Sequence, residues 1–123
     1  MQSTAIMLYN FTPQEVGTLR LLLRKFPLIR ILPVEKAFYG MRIGDVLAGK
    51  APPALCVGRE LQRKMLLLAN VEGQMFHFLL AACSQMTEEK VLRAVLTETN
   101  KNWTGIELYE NLLEEETQLE SMQ

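Results

Sequence analysis

Side chains that could bind a ligand are densest between residues 97 and 104. Thr97, Thr99 and Asn100 follow an apolar segment with strand character, and Thr104 stands where a helix would begin. Ligands of open α/β sheets bind beyond the carboxyl ends of strands, and a helix N-terminus offers free N–H groups to an anion. Trp103 could stack on a planar group. These residues therefore form a candidate site for a small anionic or planar metabolite.

The same segment could also serve the fold alone. Its hydroxyl and amide groups can bond the backbone of their own turn, and its tryptophan can pack against the core. Two further asparagines stand at comparable points after two other predicted strands. The candidate ligand-binding residues are therefore Thr97, Thr99, Asn100, Trp103, Asn10 and Asn70.

Catalytic chemistry has little support in the sequence. His77 is the single histidine, and its predicted helix carries no suitably spaced Ser, Cys or Asp to act with it. Cys56 and Cys83 lie too far apart in sequence for a zinc or redox motif. No glycine-rich phosphate-binding motif is present. We therefore expect no catalytic residue, no metal and no cofactor. A hydrolase or transferase acting at residues 97–104 is a weaker alternative, because no residue is identified as its general base.

The elements that must position these residues repeat along the chain. Residues 6–10, Ile-Met-Leu-Tyr-Asn, align with residues 66–70, Leu-Leu-Leu-Ala-Asn, at an offset of 60. Each half reads as strand, helix, strand, helix. We therefore expect one domain over residues 1–123, with an internal repeat at 5–49 and 65–116, a linker at 50–64 and a frayed tail at 117–123.

The first half begins with a buried strand at 5–9 and a helix that starts at a capping box, Thr12-Pro13-Gln14-Glu15. Pro27 should end this helix, and Pro33 should close a second strand at 28–32. A short helix is expected near 43–49. The apolar residues predicted to form the buried stripe of the first helix are Val16, Leu19, Leu22, Leu23 and Phe26.

The second half predicts strands at 65–69 and 91–96 and a helix at 72–84. Another capping box, from Thr104 to Glu107, should start a last helix that runs to about Glu116. We expect a short extra element at 55–57 within the linker. The fold class is α/β, with two pseudo-symmetric β-α-β-α halves forming one mixed four-stranded sheet covered by helices. Strands within a half should be parallel with a right-handed crossover, and their order in the sheet stays open.

Several segments resemble a bacterial domain-of-unknown-function family, number 3783. The C-terminal stretch at 96–104, Leu-Thr-Glu-Thr-Asn-Lys-Asn-Trp-Thr, and the helix at 107–115 are similar to the family's Leu-Thr-Glu-x-Asn-x-x-Trp signature and following Leu-Tyr-Glu-Glu-Leu helix. Residues 7–11 resemble the family's start. Residues 42–49 resemble its Ile-Gly-x-Leu-Ala-Gly pattern, with Val46 added before the leucine. The resemblance implies a bacterial origin and a fold unit, but no chemistry, because the family carries no assigned activity.

Charge is distributed unevenly along this chain of 123 residues, whose net charge is −1. Residues 1–64 carry ten basic and four acidic side chains, whereas residues 65–123 carry three basic and ten acidic ones. Oppositely charged halves can attract each other within one chain or between two copies, and an imbalance on solvated faces is the alternative. We therefore expect a small non-enzymatic module that binds itself or another protein. Metabolite binding at residues 97–104 is the alternative function.

Other partners and locations are less consistent with the sequence. Nucleic-acid binders usually carry a basic excess, which the whole chain lacks. No apolar run approaches the roughly 18 residues of a membrane span, and the first residues lack a basic region followed by an apolar segment. These features predict a cytoplasmic protein that binds neither nucleic acid nor membrane.

Overall fold

A computed structural model of the chain describes residues 3–52 and 59–121. The extra element predicted at 55–57 and Cys56 lie outside the described residues. The strands are β1 (Ala5–Tyr9), β2 (Arg30–Val34), β3 (Met65–Ala69) and β4 (Leu92–Val95). The helices are α1 (Pro13–Leu22), α2 (Ile43–Leu47), α3 (Gln74–Ser84) and α4 (Gly105–Ser121), with short 3₁₀ turns at Lys36–Phe38 and Asn100–Asn102.

The strands form one mixed four-stranded sheet in the order β2-β1-β3-β4. β1 is parallel to β2 and β3 is parallel to β4, as predicted within each half. The two halves meet where β1 pairs antiparallel with β3. The predicted α/β class is thereby confirmed, whereas the pseudo-symmetry between the halves stays a prediction.

The two central strands separate two apolar clusters. Every residue of β1 and β3 is buried, which fits their nearly continuous apolar sequences. Alternate side chains point to opposite faces of a strand, so Ile6 and Leu8 pack with residues of α1 and α3 on one face. Met7 and Tyr9 pack with residues of α2 and α4 on the other. The sheet is therefore the middle of three layers.

Both predicted capping boxes are present. The backbone N–H of Glu15 donates to Thr12 Oγ1 over 3.2 Å, and the N–H of Thr12 donates to Glu15 Oε1 over 2.8 Å. At the start of α4, the N–H of Glu107 donates to Thr104 Oγ1 over 3.1 Å, with the reciprocal bond at 3.0 Å. These boxes satisfy backbone donors that the first helical turn leaves free.

The predicted stripe of α1 is only partly correct. Val16, Leu19 and Leu23 are buried against the sheet, but Leu22 and Phe26 are 37% and 36% exposed. The helix ends at Leu22, and the chain then continues through tight turns instead of keeping its helical period up to Pro27. Phe26 therefore lies outside the helix whose spacing was used to place it.

Pro33 does not close β2 but lies inside it, paired with Leu8. β2 is an edge strand, and the N–H of Arg30 donates to Thr4 of the chain preceding β1. Successive backbone N–H groups of a strand point to opposite sides, and the N–H of Arg30 points to β1. The nitrogen of Pro33 therefore points away from the sheet, so its missing N–H removes no hydrogen bond between the strands. The predicted end of this strand was wrong for that reason.

The boundaries of three other elements also differ from prediction. α3 begins at Gln74 instead of residue 72, after Gly73, which has a φ of +62°. β4 is limited to Leu92–Val95. α4 continues to Ser121, past the predicted end near Glu116. Among the described residues, no helix has the length and hydropathy required to cross a membrane.

Candidate functional site

Asn100 is the centre of the turn that the sequence singled out. Its Oδ1 accepts the backbone N–H of Thr97 over 2.8 Å, and its Nδ2 donates to the carbonyl oxygen of Val95 over 3.0 Å. The N–H of Asn100 in turn donates to Thr97 Oγ1 over 3.0 Å. Asn100 is buried. Both ends of its amide therefore hold the chain between β4 and α4 in place.

The neighbouring candidates are placed differently around this turn. Thr97 and Thr99 are exposed, whereas Trp103 is half-buried against the α4-side cluster. The carbonyl oxygen of Trp103 accepts the N–H of Ile43 over 2.9 Å, which ties the turn to the start of α2. Trp103 therefore also contributes to the core, whereas Thr97 and Thr99 lie on the exposed surface of the turn.

Asn10 and Asn70 adopt the left-handed region, with φ values of +71° and +59°. Asn10 Nδ2 donates to the carbonyl oxygens of Leu61, over 2.7 Å, and Arg63, over 3.3 Å. Asn70 Nδ2 donates to Ser3 over 3.0 Å. Each follows one of two antiparallel strands, so they lie at opposite ends of the sheet. The structure therefore does not bring all six candidates together.

A charged cluster that the sequence did not predict lies at the Asn10 end of the sheet. Lys64 is almost fully buried just before β3, and its Nζ lies 3.4 Å from Glu15 Oε1 and also contacts Glu89 Oε2. Arg63 Nη1 lies 2.6 Å from Glu116 Oε1. Adjacent cations of one segment thus join the start of α1, the loop before β4 and the end of α4.

The cluster shifts the ionisation of its members. Burial alone would raise the pKa of the Glu15 carboxyl, but the Thr12 N–H and the Lys64 ammonium bring this pKa below its ordinary value of 4.5. The hydrogen bond to Glu89 raises the pKa of Lys64. The hydrogen bond from Arg63 lowers the pKa of Glu116. All three groups are therefore charged at neutral pH, and none is poised to exchange a proton there.

A groove of about 670 Å³ lies beside the edge strand β4 and is called the β4 groove below. Its apolar lining includes Leu80 of α3, Met86, and Leu112 and Leu119 of α4. Cys83 also lines it, but burial raises the pKa of this thiol to about 11, so it stays protonated and is a poor nucleophile. The charged residues of the rim are Glu88, Glu89, Glu115, Glu116, Lys90 and Arg93.

An exposed apolar patch lies at the end of α1 and in the turn that follows. Leu21 is 61% exposed and Leu28 is 87% exposed. The rings of Phe26 and Phe78 are both partly exposed, with their centroids 5.1 Å apart. The N–H of Ile29 donates to the carbonyl oxygen of Phe26, which places Leu28 at the tip of a turn. These four residues, Leu21, Phe26, Leu28 and Phe78, are called the apolar patch below.

Basic side chains accompany the apolar patch in the sequence. Arg20, Arg24 and Lys25 are exposed, and none makes an ion pair within residues 3–52 and 59–121. Within the same ranges, no group of three or more His, Cys, Asp or Glu side chains could hold a metal ion. The segment from residue 20 to residue 28 thus carries both exposed apolar and exposed basic side chains.

Comparisons with known proteins give one match. A family model described as a domain of unknown function (DUF3783) matches residues 64–119. The matched residues contain β3, α3, β4 and most of α4 and include the motifs at 96–104 and 107–115, whereas the motifs at 7–11 and 42–49 lie outside them. No curated protein and no solved structure matches the chain.

Proposed function

Because residues 64–119 belong to the family of domains of unknown function DUF3783, we propose a function from the surface of the chain itself. The protein is a small, non-enzymatic cytoplasmic module that acts by protein–protein contact, first of all with further copies of itself. The apolar patch is the contact surface.

The observation that carries this proposal is the exposure of the apolar patch. Single exposed leucines are ordinary on soluble proteins. Here Leu21 and Leu28 lie within one short segment that also contains Phe26, whose ring centroid lies 5.1 Å from that of the partly exposed Phe78. Exposed apolar patches are typical of interaction sites, so several exposed apolar side chains in one segment support the proposal.

The basic side chains near the apolar patch would also influence which surface of a partner binds there. Arg20, Arg24 and Lys25 belong to the same short segment as the leucines and make no ion pair with another described residue, which leaves them to pair with a partner's carboxylates. Complementary charge raises the rate of association and fixes the orientation of the partners. An acidic partner surface is therefore favoured over a neutral one.

Metabolite binding at residues 97–104 has less structural support. Ligand recognition by Asn100 would compete with the bonds that its amide makes to Thr97 and Val95. Part of the Trp103 side chain packs against the core, so less of its ring is exposed to stack on a ligand. We therefore place the contact function first.

Sedimentation velocity of the full chain over a wide range of concentration tests the proposal. We expect reversible association of the native protein and marked weakening in Leu21→Ser/Leu28→Ser, whose positions are too exposed to carry the fold. Val95→Thr, at a partly exposed position on β4, is the matched control and should associate normally. A native protein that stays monomeric at every concentration would exclude self-association as its function.

A further inference from the structure

We propose that the turn bearing Leu28 docks into the β4 groove of a second copy of the chain. This inference rests on the proposed self-association and adds the identity of the partner surface. The projecting part is the segment from Arg24 to Leu28, and the receiving part is the space between α3, β4 and the second half of α4.

Shape is the first reason for pairing these two surfaces. Leu28 projects from the tip of a turn and is 87% exposed, so most of its apolar surface lacks a partner within its own copy. The β4 groove has an apolar lining that includes Leu80, Met86 and Leu112. Its volume of about 670 Å³ is well within the range of binding pockets, roughly 300–1,000 Å³. An apolar projection and an apolar recess thus lie on the same molecule.

Charge is the second reason. Arg24 and Lys25 precede the tip and make no ion pair among the described residues. The lining of the groove carries four carboxylates and two cations. Glu116 and Glu89 are already paired with Arg63 and Lys64, whereas the rim carboxylates without an ion pair in residues 3–52 and 59–121 are Glu88 and Glu115.

The position of Glu115 near the C-terminus of α4 is a further reason to expect a cationic partner for it. The C-terminal half of α4 carries Glu114, Glu115 and Glu116 in succession. Negative charge near a helix C-terminus opposes the helix dipole. Within residues 3–52 and 59–121, Glu116 pairs with Arg63 and Lys90, whereas Glu114 and Glu115 make no ion pair. Leu119, four residues after Glu115 and therefore on the same helix face, is 64% exposed. A basic and apolar segment of a second copy would pair with the carboxylate of Glu115 and cover the exposed side chain of Leu119.

The two surfaces are distinct, so the contact is heterologous. Within one copy the turn contacts α3 at Phe78, whereas the groove opens beside Leu80 and β4. Each copy then offers one projection and one groove, and an interface of this type generates rings or open chains instead of a two-fold dimer. Assemblies larger than a dimer are therefore expected as concentration rises.

Two charge-reversed variants test the docking. Variant A carries Arg24→Glu and Lys25→Glu at the tip, and variant B carries Glu88→Lys and Glu115→Lys at the groove. Alone, each should associate more than about tenfold more weakly than the native chain, because like charges would meet across the interface. Mixed together, A and B should associate again, since the acidic tip of A meets the basic groove of B and the native tip of B meets the native groove of A.

Controls separate this inference from the proposed function. Arg42→Glu with Glu72→Lys reverses two exposed charges elsewhere and should leave association unchanged. Circular dichroism and urea midpoints verify that every variant is folded. If Leu21→Ser/Leu28→Ser weakens association but B does not, the patch binds another surface: the docking inference fails and the proposed function stands. If the native chain does not associate at all, both the proposed self-association and the docking inference fail.

Discussion

The residues packed around position 105 leave room only for glycine there. A Cβ atom at this residue would lie 2.5 Å from Cε2 of Tyr9 and 3.2 Å from the carbonyl oxygen of Tyr39. Tyr9 is fully buried, and its hydroxyl has no hydrogen-bond partner within the described ranges. Its ring therefore has little freedom to move away from the start of α4.

Gly105→Ala should lower the free energy of unfolding by about 1–3 kcal/mol, the usual cost of forcing extra volume into a packed region. Gly17→Ala is the control, because a Cβ there meets nothing within 4 Å and the position lies exposed in α1. Alanine is the better helix former, so this control should gain about 0.5–1 kcal/mol. Urea unfolding measures both changes, and a neutral Gly105→Ala would contradict the close approach of Tyr9.

Glu15 should make stability depend on pH in the acidic range. Its pKa in the folded chain lies below the ordinary 4.5, so the unfolded chain takes up the proton first as pH falls. The stabilisation is therefore complete above the ordinary pKa and is lost as pH falls through the lowered one.

Glu15→Gln should flatten that part of the pH profile of unfolding free energy, measured by urea denaturation from neutral pH to below 4.5. Glutamine can still complete a capping box, so the variant mainly removes the charge that faces Lys64. Glu72→Gln, at an exposed position, is the control and should keep the native slope. An unchanged slope in Glu15→Gln would mean that Lys64 and Thr12 do not hold this carboxylate in its charged form.

Structural elements that are determined by a few consecutive residues could be predicted from the sequence. The capping boxes at Thr12 and Thr104 depend on four consecutive residues, and both were found where expected. The central strands were predicted correctly because their continuous apolar runs leave few alternatives. The exposure of Phe26 and the inclusion of Pro33 in β2 depend on which element lies alongside, and no local pattern contains that information.

The candidate site, like the fold, could be predicted only in part. The sequence located the polar turn around Asn100 and left open whether its amide serves a ligand or the fold; in the structure the amide bonds the backbone of its own turn. The Lys64 cluster joins residues far apart in sequence. The β4 groove exists only because α3 and α4 lie on opposite sides of an edge strand. Neither feature leaves a local signature.

The start of α4 should depend on its cap. Thr104→Ala removes the oxygen that accepts the N–H of Glu107, so the free energy of unfolding should fall by about 0.5–2 kcal/mol. Thr99→Ala, at an exposed position outside the helix, serves as the control and should change little. Equal effects of the two substitutions in urea unfolding would exclude a special role for the cap.

The orientation of α3 can be tested at two adjacent residues. Leu79 is fully buried against the sheet, whereas Phe78 is partly exposed. Leu79→Ala should cost about 2–5 kcal/mol through loss of buried contacts and the cavity left behind. Phe78→Ala should cost much less in urea unfolding. A neutral Leu79→Ala would mean that this face of α3 does not pack on β1 and β3.

For the whole molecule, the uneven charge of the two halves is partly used inside the fold. Arg59, Arg63 and Lys64 of the basic half pair with carboxylates of the acidic half. These contacts explain attraction within one chain, which the sequence left as one of its alternatives. They do not involve Arg24 or Lys25 at the other end of α1, which remain available for a second copy.

Association should therefore weaken as ionic strength rises. Between roughly 0.1 M and 1 M salt, the screening length falls from about 10 Å to about 3 Å, so the attraction between the basic tip and the acidic groove is largely lost. The apolar contact of Leu28 is not screened, and some association should persist.

Sedimentation velocity at several salt concentrations measures this dependence. The control Arg42→Glu/Glu72→Lys should show the native salt response, and the mixture of variants A and B should show a similar one, because its contacts again join opposite charges. Association that strengthens with salt would show that apolar contact alone drives it. Arg24 and Lys25 would then not face the carboxylates of the groove.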